Sequence, residues 1–229
     1  MKNELIRYLK SLNISNEGIN IIINDYSLRL YTEESIINNI KNNIEYFNKL
    51  GIDTNMVLEM MISFPGVIAR TTDALEKRIK KLEELKLSKE DIIKIIISNP
   101  EIFSYSIDSI KDKIEVLQEL EMNDEDIKSM CINFPGILNG DKENLRDKLI
   151  YFKEINLLDK IIVNPRHLRQ GVRLTYARYE YYKYIGKEIN EDNFVRLFEG
   201  QKSFEKRTGI SKQELIARFN YDERERGRK

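Results

Sequence analysis

The four prolines of this chain fall at nearly regular intervals. They are Pro65, Pro100, Pro135 and Pro165, so two gaps of 35 residues are followed by one of 30. The surrounding residues recur as well, in the segments Ile62-Ser-Phe-Pro-Gly-Val-Ile, Ile97-Ser-Asn-Pro-Glu-Ile-Phe, Ile132-Asn-Phe-Pro-Gly-Ile-Leu and Ile162-Val-Asn-Pro-Arg-His-Leu. A fixed period of this length is typical of stacked repeats, in which each repeat buries its apolar face against the next.

An amphipathic helix is predicted after each proline. Positions 10, 14 and 17 after the proline are almost all apolar or aromatic, and this spacing places them on one face of an α-helix. The residues are Leu75, Ile79 and Leu82, then Ile110, Ile114 and Leu117, then Leu145, Leu149 and Phe152, and finally Thr175, Tyr179 and Tyr182. Thr71, Ser106 and Asp141, six residues after the first three prolines, are residue types that cap helix N-termini. They predict where this helix begins.

Another helix is predicted before each proline. The residues four positions before the prolines are Met61, Ile96, Cys131 and Ile161, and caps are available at Asp53, Ser88 and Asn123. The proline ends this helix, because it has no N–H to donate and restricts the residue before it. The loss of five residues before Pro165 predicts a shorter first helix in the last repeat. No segment alternates polar and apolar residues for long, so we expect no sheet.

These patterns predict an all-α fold, a curved solenoid of helix-pair repeats of about 35 residues with a short helical C-terminal cap. We expect repeats near 14–50, 51–86, 87–121, 122–156 and 157–186, the first of them degenerate, with Leu30 in the proline position. The repeat register is lost after Gly186. Residues 187–229 are predicted to form a cap, with short helices near 191–198 and 211–219, and a charged tail. Ser211 and Glu214 form a capping-box pattern at the second of these helices.

The composition excludes several classes of protein. The 229 residues carry 38 Lys and Arg against 38 Asp and Glu, and there is one Cys and one His. A single cysteine excludes an internal disulfide, and apolar runs such as Ile92–Ile97 are far short of the roughly 20 residues of a membrane span. The first 13 residues do not resemble a secretory signal. No phosphate-binding glycine loop, zinc spacing or catalytic serine–histidine pattern occurs. We therefore expect that the protein is not an enzyme and that it has no cofactor, metal, small-molecule substrate or membrane partner. We expect a cytoplasmic location, with an organelle matrix as the alternative.

The repeat resembles that of a known family. One repeat contains the segments Leu50-Gly-Ile-Asp, Met61-Ile-Ser-Phe-Pro-Gly-Val-Ile and Leu75-Glu-Lys-Arg-Ile-Lys-Lys-Leu. This pattern is similar to the mTERF repeat of the mitochondrial transcription termination factors. The resemblance covers residues 42–186. It implies a curved helical solenoid without catalytic residues, whose basic concave face binds duplex DNA or RNA in transcription termination, ribosome assembly or RNA splicing. The neutral net charge and the lack of a transit peptide depart from the family and indicate a bacterial or mobile-element relative.

One basic position recurs thirteen residues after every proline. It holds Arg78, Lys113, Lys148 and Arg178, and the degenerate repeat has Asn43 there. Stacked repeats would align these side chains into a ladder that follows a phosphate backbone and releases counterions. The alternative is that the aliphatic stems pack at the edge of the core and the charged ends pair with acidic side chains of neighbouring repeats.

A second basic region lies near the C-terminus. From Pro165 onward the chain has 16 Lys and Arg against 10 Asp and Glu. Arg166, Arg169 and Arg173 are spaced to share a helical face, and Lys183 follows in the same tyrosine-rich segment. Tyrosines there could stack on exposed bases, but Tyr179 and Tyr182 occupy core positions of the repeat. His167 and Cys131 replace apolar residues of other repeats, which favours packing over catalysis.

Two functions are compatible with these observations. The first is an mTERF-like protein that binds duplex DNA or structured RNA, in transcription or RNA metabolism, through a concave and C-terminal basic surface. Its predicted contact residues are Arg78, Lys113, Lys148, Arg166, Arg169, Arg173, Arg178 and Lys183. The alternative is a protein-interaction scaffold that regulates or inhibits a larger complex. The neutral net charge and the acidic first 164 residues favour this alternative.

Overall fold

The computed structural model describes residues 3–84 and 87–221, and this part of the chain is all-α, without a strand. The helices in it are α1 (Asn3–Ser11), α2 (Asn16–Asn24), α3 (Glu33–Lys49), α4 (Thr54–Ser63), α5 (Thr72–Glu83), α6 (Lys89–Ser98), α7 (Ile107–Glu119), α8 (Asp124–Asn133), α9 (Lys142–Glu154), α10 (Leu158–Val163), α11 (Val172–Tyr184), α12 (Gln201–Thr208) and α13 (Lys212–Arg218). The predicted all-α, helix-pair repeat fold is confirmed. The charged tail predicted within residues 222–229 lies outside the described residues.

Side-chain caps begin the helices at the predicted residues. Asp53, Ser88 and Asn123 accept hydrogen bonds from backbone N–H groups in the first turns of α4, α6 and α8. Thr71 and Asp141 do the same for α5 and α9, and Ser106 Oγ accepts from the N–H of Ser109 at 3.0 Å. Each cap of this kind stabilises a helix start by about 1 kcal/mol. The Ser211–Glu214 capping box is also present at α13.

Each proline starts a single turn of 3₁₀ helix. These four segments, called the proline turns below, are Pro65–Val67, Pro100–Phe103, Pro135–Leu138 and Pro165–Arg169. The residue before each proline has left the helical conformation, for example Phe64 with φ −144° and ψ 83°. This is the effect expected of a proline on its predecessor. All four prolines are buried, so the turns are part of the core.

The chain divides into two compact units, Met1–Lys111 and Asp112–Lys229. In the first unit α2 packs on α4 and α4 on α6, while α3 packs on α5. In the second unit α8 packs on α10 and α9 on α11. Equivalent helices of successive repeats therefore stack on one another within each unit, as in other repeat proteins. The predicted apolar stripe is buried, as shown by Leu75, Leu82, Ile110, Leu117, Leu149 and Phe152.

The C-terminal part contains both predicted short helices, as the 3₁₀ helix Phe194–Phe198 and α13, but its repeat register differs from the prediction. The repeat register does not stop at Gly186, because a further 3₁₀ helix, Phe194–Phe198, begins with Phe194 in the position of the proline. Six residues later Gly200 is the N-cap of α12, as Gly171 is of α11 after Pro165. Ten residues later Phe204 is fully buried, at the first position of the apolar stripe. These residues form a sixth repeat that lacks its proline and has no helix over residues 187–193.

A phenylalanine and a glycine pack against each other in two proline turns. The ring of Phe64 lies over Gly66, where an added Cβ would stand 2.7 Å from Cζ of the ring. Phe134 lies over Gly136 in the same way, with 3.0 Å to Cε2. In the turns preceded by Asn99 or Asn164 the equivalent residue carries a side chain. The phenylalanine before the proline therefore requires the glycine after it.

This pairing makes a prediction about stability. Gly66→Ala should destabilise the chain by about 1–2 kcal/mol, because the methyl group displaces the ring of Phe64. In a Phe64→Ala background the same change should be neutral or stabilising by about 0.4–1 kcal/mol, since alanine restricts the unfolded chain. Urea unfolding of the two single variants and the double variant measures both values. Equal costs in the two backgrounds would contradict the proposed packing of ring on glycine.

Candidate nucleic-acid interface

The residues at position thirteen of the repeats, Asn43, Arg78, Lys113, Lys148 and Arg178, are called the thirteenth-position residues below, and four of them donate hydrogen bonds to the next 3₁₀ helix. Asn43 Nδ2 donates to the carbonyl oxygen of Val67 at 3.2 Å, and Arg78 Nη2 donates to that of Ile102 at 3.1 Å. Lys148 Nζ donates to the carbonyl oxygen of Leu168 at 2.9 Å. Each acceptor belongs to the proline turn of the following repeat. The position thus links one repeat to the backbone of the next.

Arg178 makes the same kind of link to the sixth repeat. Its Nη1 donates to the carbonyl oxygens of Leu197 at 2.8 Å and Glu199 at 2.6 Å, and its Nη2 donates to Gln201 Oε1 at 3.1 Å. Leu197 stands three residues after Phe194, as Leu168 stands three residues after Pro165. The hydrogen bond from Arg178 therefore supports the assignment of a sixth repeat independently of the helix positions.

The thirteenth-position residues are buried or half-buried. Arg178 has 0% of its surface exposed and Lys113 has 4%. Burial lowers the pKa of Arg78, Lys148 and Arg178, because removing a cation from water costs free energy. Hydrogen bonds to carbonyl groups of the short 3₁₀ helices offset this cost.

The thirteenth-position residues therefore do not form the predicted phosphate ladder. Arg178 and Lys113 have almost no exposed surface, so the prediction that they contact a nucleic-acid partner is wrong. Arg78 and Lys148 are half-buried and hold backbone carbonyls. The alternative interpretation placed these groups correctly between repeats, but the acceptors seen are backbone carbonyls and, for Arg178, glutamine side chains, and not acidic side chains.

Two further residues that the sequence analysis missed link the turns. Arg70 donates to the carbonyl oxygens of Gly66 at 2.6 Å and Phe103 at 3.0 Å, so it joins two successive proline turns. Gln170, in the equivalent position of a later repeat, donates to the carbonyl oxygen of Leu197 at 2.8 Å. The other repeats have unrelated residues at this position, so no sequence pattern marks it.

Three of the predicted arginines lie on the surface of the second unit. Arg166 and Arg169 are exposed on the last proline turn, and Arg173 is exposed in the first turn of α11. Arg166 Nε donates to the carbonyl oxygen of Asn133 at 3.3 Å. The guanidinium of Arg169 lies 5.3 Å from the ring centroid of Phe134, within cation–π distance. Lys183, near the end of α11, is 73% exposed and lies 3.9 Å from Glu180.

A cleft of about 230 Å³ adjoins this group of arginines. It opens between the proline turns Pro135–Leu138 and Pro165–Arg169, and its lining includes Phe134, Asn144, Lys148 and Arg169. Lys148 thus belongs both to the link between repeats and to the wall of the cleft. The cleft brings one cation of each predicted set, Lys148 and Arg169, to the same surface.

Most of the neighbouring aromatic residues pack in the core. Tyr182 is buried, and Tyr179 meets the ring of Tyr151 edge to face at 6.4 Å. Tyr184 is 65% exposed, and the guanidinium of Arg218 lies 4.4 Å from its ring centroid. His167 stacks on Phe198 at 4.0 Å, and burial lowers its pKa. Tyr184 is therefore the exposed tyrosine of this segment.

The remaining reactive side chain is Cys131. It is fully buried in α8, and burial raises the pKa of its thiol to about 12. Such a thiol is protonated at neutral pH and is a poor nucleophile. Within residues 3–84 and 87–221, no three His, Cys, Asp or Glu side chains are arranged to hold a metal ion. No helix in that part of the chain has the length and apolar character needed to cross a bilayer.

The links between repeats predict a specific loss of stability. Arg78→Met should destabilise the protein by about 1–3 kcal/mol, because a half-buried hydrogen bond from a charged donor is lost and the carbonyl of Ile102 keeps backbone donors such as the N–H of Tyr105, at 3.3 Å. Lys77→Met removes the adjacent, exposed cation and should cost less than about 0.5 kcal/mol. Arg78→Lys should retain most of the stability, since other repeats use lysine here. Chemical denaturation measures all three, and equal effects of Arg78→Met and Lys77→Met would refute the link.

The comparison with protein families agrees with this geometry. The family model described as mTERF matches residues 1–194, which is most of the chain and all five repeats predicted from the sequence. No curated protein is significantly similar to the chain. The match ends at Phe194, where the sixth repeat begins its 3₁₀ helix. The chain therefore belongs to the mTERF family.

Proposed function

We propose that this protein binds duplex DNA or structured RNA through the exposed basic side chains of its second unit. Membership of the mTERF family supports a nucleic-acid-binding helical-repeat protein. The observation that carries the proposal is the exposed group Arg166, Arg169 and Arg173, on the last proline turn and the start of α11. Lys183, near the end of α11, is a further exposed cation of this unit.

The arrangement of Arg169 suits a phosphate contact. Its guanidinium lies 5.3 Å from the ring centroid of Phe134, a cation–π contact that uses none of its N–H donors. A planar guanidinium presents these donors in a fork that matches two phosphate oxygens. In the described part of the chain, neither Arg166 nor Arg169 is paired with a carboxylate. Both are therefore available to a partner that carries negative charge.

We further propose that the protein acts by binding and not by catalysis, in transcription or RNA metabolism. The residues most suited to nucleophilic or acid–base chemistry have structural positions. Cys131 is a buried thiol with a raised pKa, and the ring of His167 stacks on Phe198. Neither supports a hydrolytic site beside the arginines.

The proposal predicts a loss of binding in one triple variant. Arg166→Ala, Arg169→Ala and Arg173→Ala together should weaken binding of duplex DNA or structured RNA. They should also flatten the dependence of log K on log salt by about 0.9 for each phosphate that is no longer neutralised. Fluorescence anisotropy over a potassium chloride series measures both quantities, with circular dichroism as the check of folding.

The matched control removes the same charge from the first unit through Lys77→Ala, Lys80→Ala and Lys94→Ala, three exposed lysines. This variant should keep most of the affinity and the salt dependence. Similar losses in the two variants would mean that only net charge matters. If the unaltered protein binds neither duplex DNA nor structured RNA at low salt, the proposed function is wrong.

The second candidate function, a protein-interaction scaffold, is favoured by the surface of the first unit. Leu30 is 97% exposed and Tyr26 79%, and Ile21 and Met56 are also exposed. Tyr26 and Leu30 are four residues apart, in and just after the 3₁₀ helix Tyr26–Leu28, and exposed apolar patches are typical of protein–protein contact sites. This function predicts a complex that survives nuclease treatment and is lost when Tyr26 and Leu30 are replaced by serine. A complex that dissociates on nuclease treatment would exclude this second function.

A further inference from the structure

Arg207 occupies the thirteenth position of the sixth repeat. It follows Phe194 by thirteen residues, as Arg178 follows Pro165. It lies in α12, three residues after the buried Phe204. In earlier repeats, side chains at this position donate to the backbone of the next 3₁₀ helix. Arg207 is the last residue at the thirteenth position in the described part of the chain.

In the described part of the chain, no 3₁₀ helix follows Arg207 to accept a hydrogen bond from it. The following helix, α13, packs against α11 instead, and Tyr221 is buried between Tyr151 and Tyr176. Arg207 Nη2 donates to Tyr182 Oη at 2.7 Å and to Glu199 Oε2 at 2.7 Å. Within residues 3–84 and 87–221, no acceptor meets its Nε or Nη1.

The guanidinium is nevertheless held in place. It lies 5.3 Å from the ring centroid of Phe204 and 5.7 Å from that of Tyr182, and both rings are buried. The two hydrogen bonds through Nη2 fix its remaining orientation. Tyr182 Oη accepts from Arg207, so the hydroxyl proton of Tyr182 can be donated to another group. The site therefore presents several hydrogen-bond donors without reorganisation.

Tyr182 and Arg207 line an open cleft of about 440 Å³. Its lining includes Lys187, Arg196 and Arg207 as cations and Glu199 as a carboxylate. Glu199 is paired with Arg207, and neither Lys187 nor Arg196 has a carboxylate partner among the described residues. The cleft thus has an excess of positive charge. A concave site with converging cations raises the local concentration of anions.

We propose that this cleft binds a phosphate group of the nucleic-acid partner, as an extension of the interface to Arg196 and Arg207, which follow the part of the chain that matches the family. The inference rests on the proposed function. A phosphate has enough acceptor oxygens for the Arg207 donors, the Tyr182 hydroxyl and the Lys187 ammonium together. A carboxylate has fewer acceptor oxygens and matches the donors less well.

The test uses two double variants of the full chain. Lys187→Gln with Arg196→Gln removes two cations of the cleft and leaves Arg207 and its partners in place. Lys202→Gln with Lys206→Gln removes two exposed cations of α12 that do not line the cleft. Both pairs change the net charge equally. Both pairs alter exposed side chains, so folding should be preserved.

The first measurement is a titration with inorganic phosphate. Binding is monitored through the NMR signal of the Arg207 Nε–H group, which is assigned by its absence in the Arg207→Lys variant. Phosphate should shift this signal in the unaltered protein and in the α12 pair, with at least tenfold weaker binding in the cleft pair. No shift in the unaltered protein overturns the proposal. A larger response to acetate than to phosphate also overturns it, in favour of a carboxylate ligand.

The second measurement is nucleic-acid affinity over a salt series. The cleft pair should weaken binding and reduce the salt slope by about 0.9 for each phosphate that the cleft no longer neutralises. The α12 pair should have a smaller effect. Unchanged binding in the cleft pair, in a protein that still depends on Arg166, Arg169 and Arg173, overturns the cleft and leaves the proposed function standing. Absence of nucleic-acid binding by the unaltered protein overturns both, even if inorganic phosphate binds.

Discussion

The repeats are held in register by side-chain donors that reach the backbone of the next 3₁₀ helix. Asn43, Arg78, Lys148 and Arg178 all make this hydrogen bond, with donor–acceptor distances between 2.8 and 3.2 Å. Apolar stripes bring successive helices together, but the hydrophobic effect has no direction. A hydrogen bond to one particular carbonyl does have a direction. It therefore fixes where each turn lies against the repeat before it.

Most of the fold could be predicted from the sequence, because its determinants are local and periodic. The prolines, the caps at Asp53, Ser88 and Asn123, and the apolar stripe each mark a position along the chain. The function of the thirteenth-position residues could not be predicted in this way. Arg78 and Lys148 recur with the same period whether they bind a phosphate or a carbonyl, and a backbone acceptor leaves no trace in the sequence.

The sixth repeat was missed because its most visible markers are absent. Phe194 stands where the proline would be, and residues 187–193 form no helix. The remaining signal was present in Gly200, Phe204 and Arg207, at positions 6, 10 and 13 of the repeat. The exposed arginines Arg166, Arg169 and Arg173 were named from sequence, yet only the structure separates them from Arg178. That separation depends on burial, which follows from how the sixth repeat covers α11.

The nature of the acceptor has a consequence for how such a chain can evolve. A carbonyl oxygen is supplied by any residue, so a repeat that receives the hydrogen bond needs no matching side chain. The donor alone must be kept, and asparagine, lysine and arginine all serve. After a repeat is duplicated or deleted, the repeats that become neighbours can therefore form this hydrogen bond without compensating substitutions. The distances of 35, 30 and 29 residues between successive turns, from Pro65 to Phe194, show that the spacing itself can drift while the joint persists.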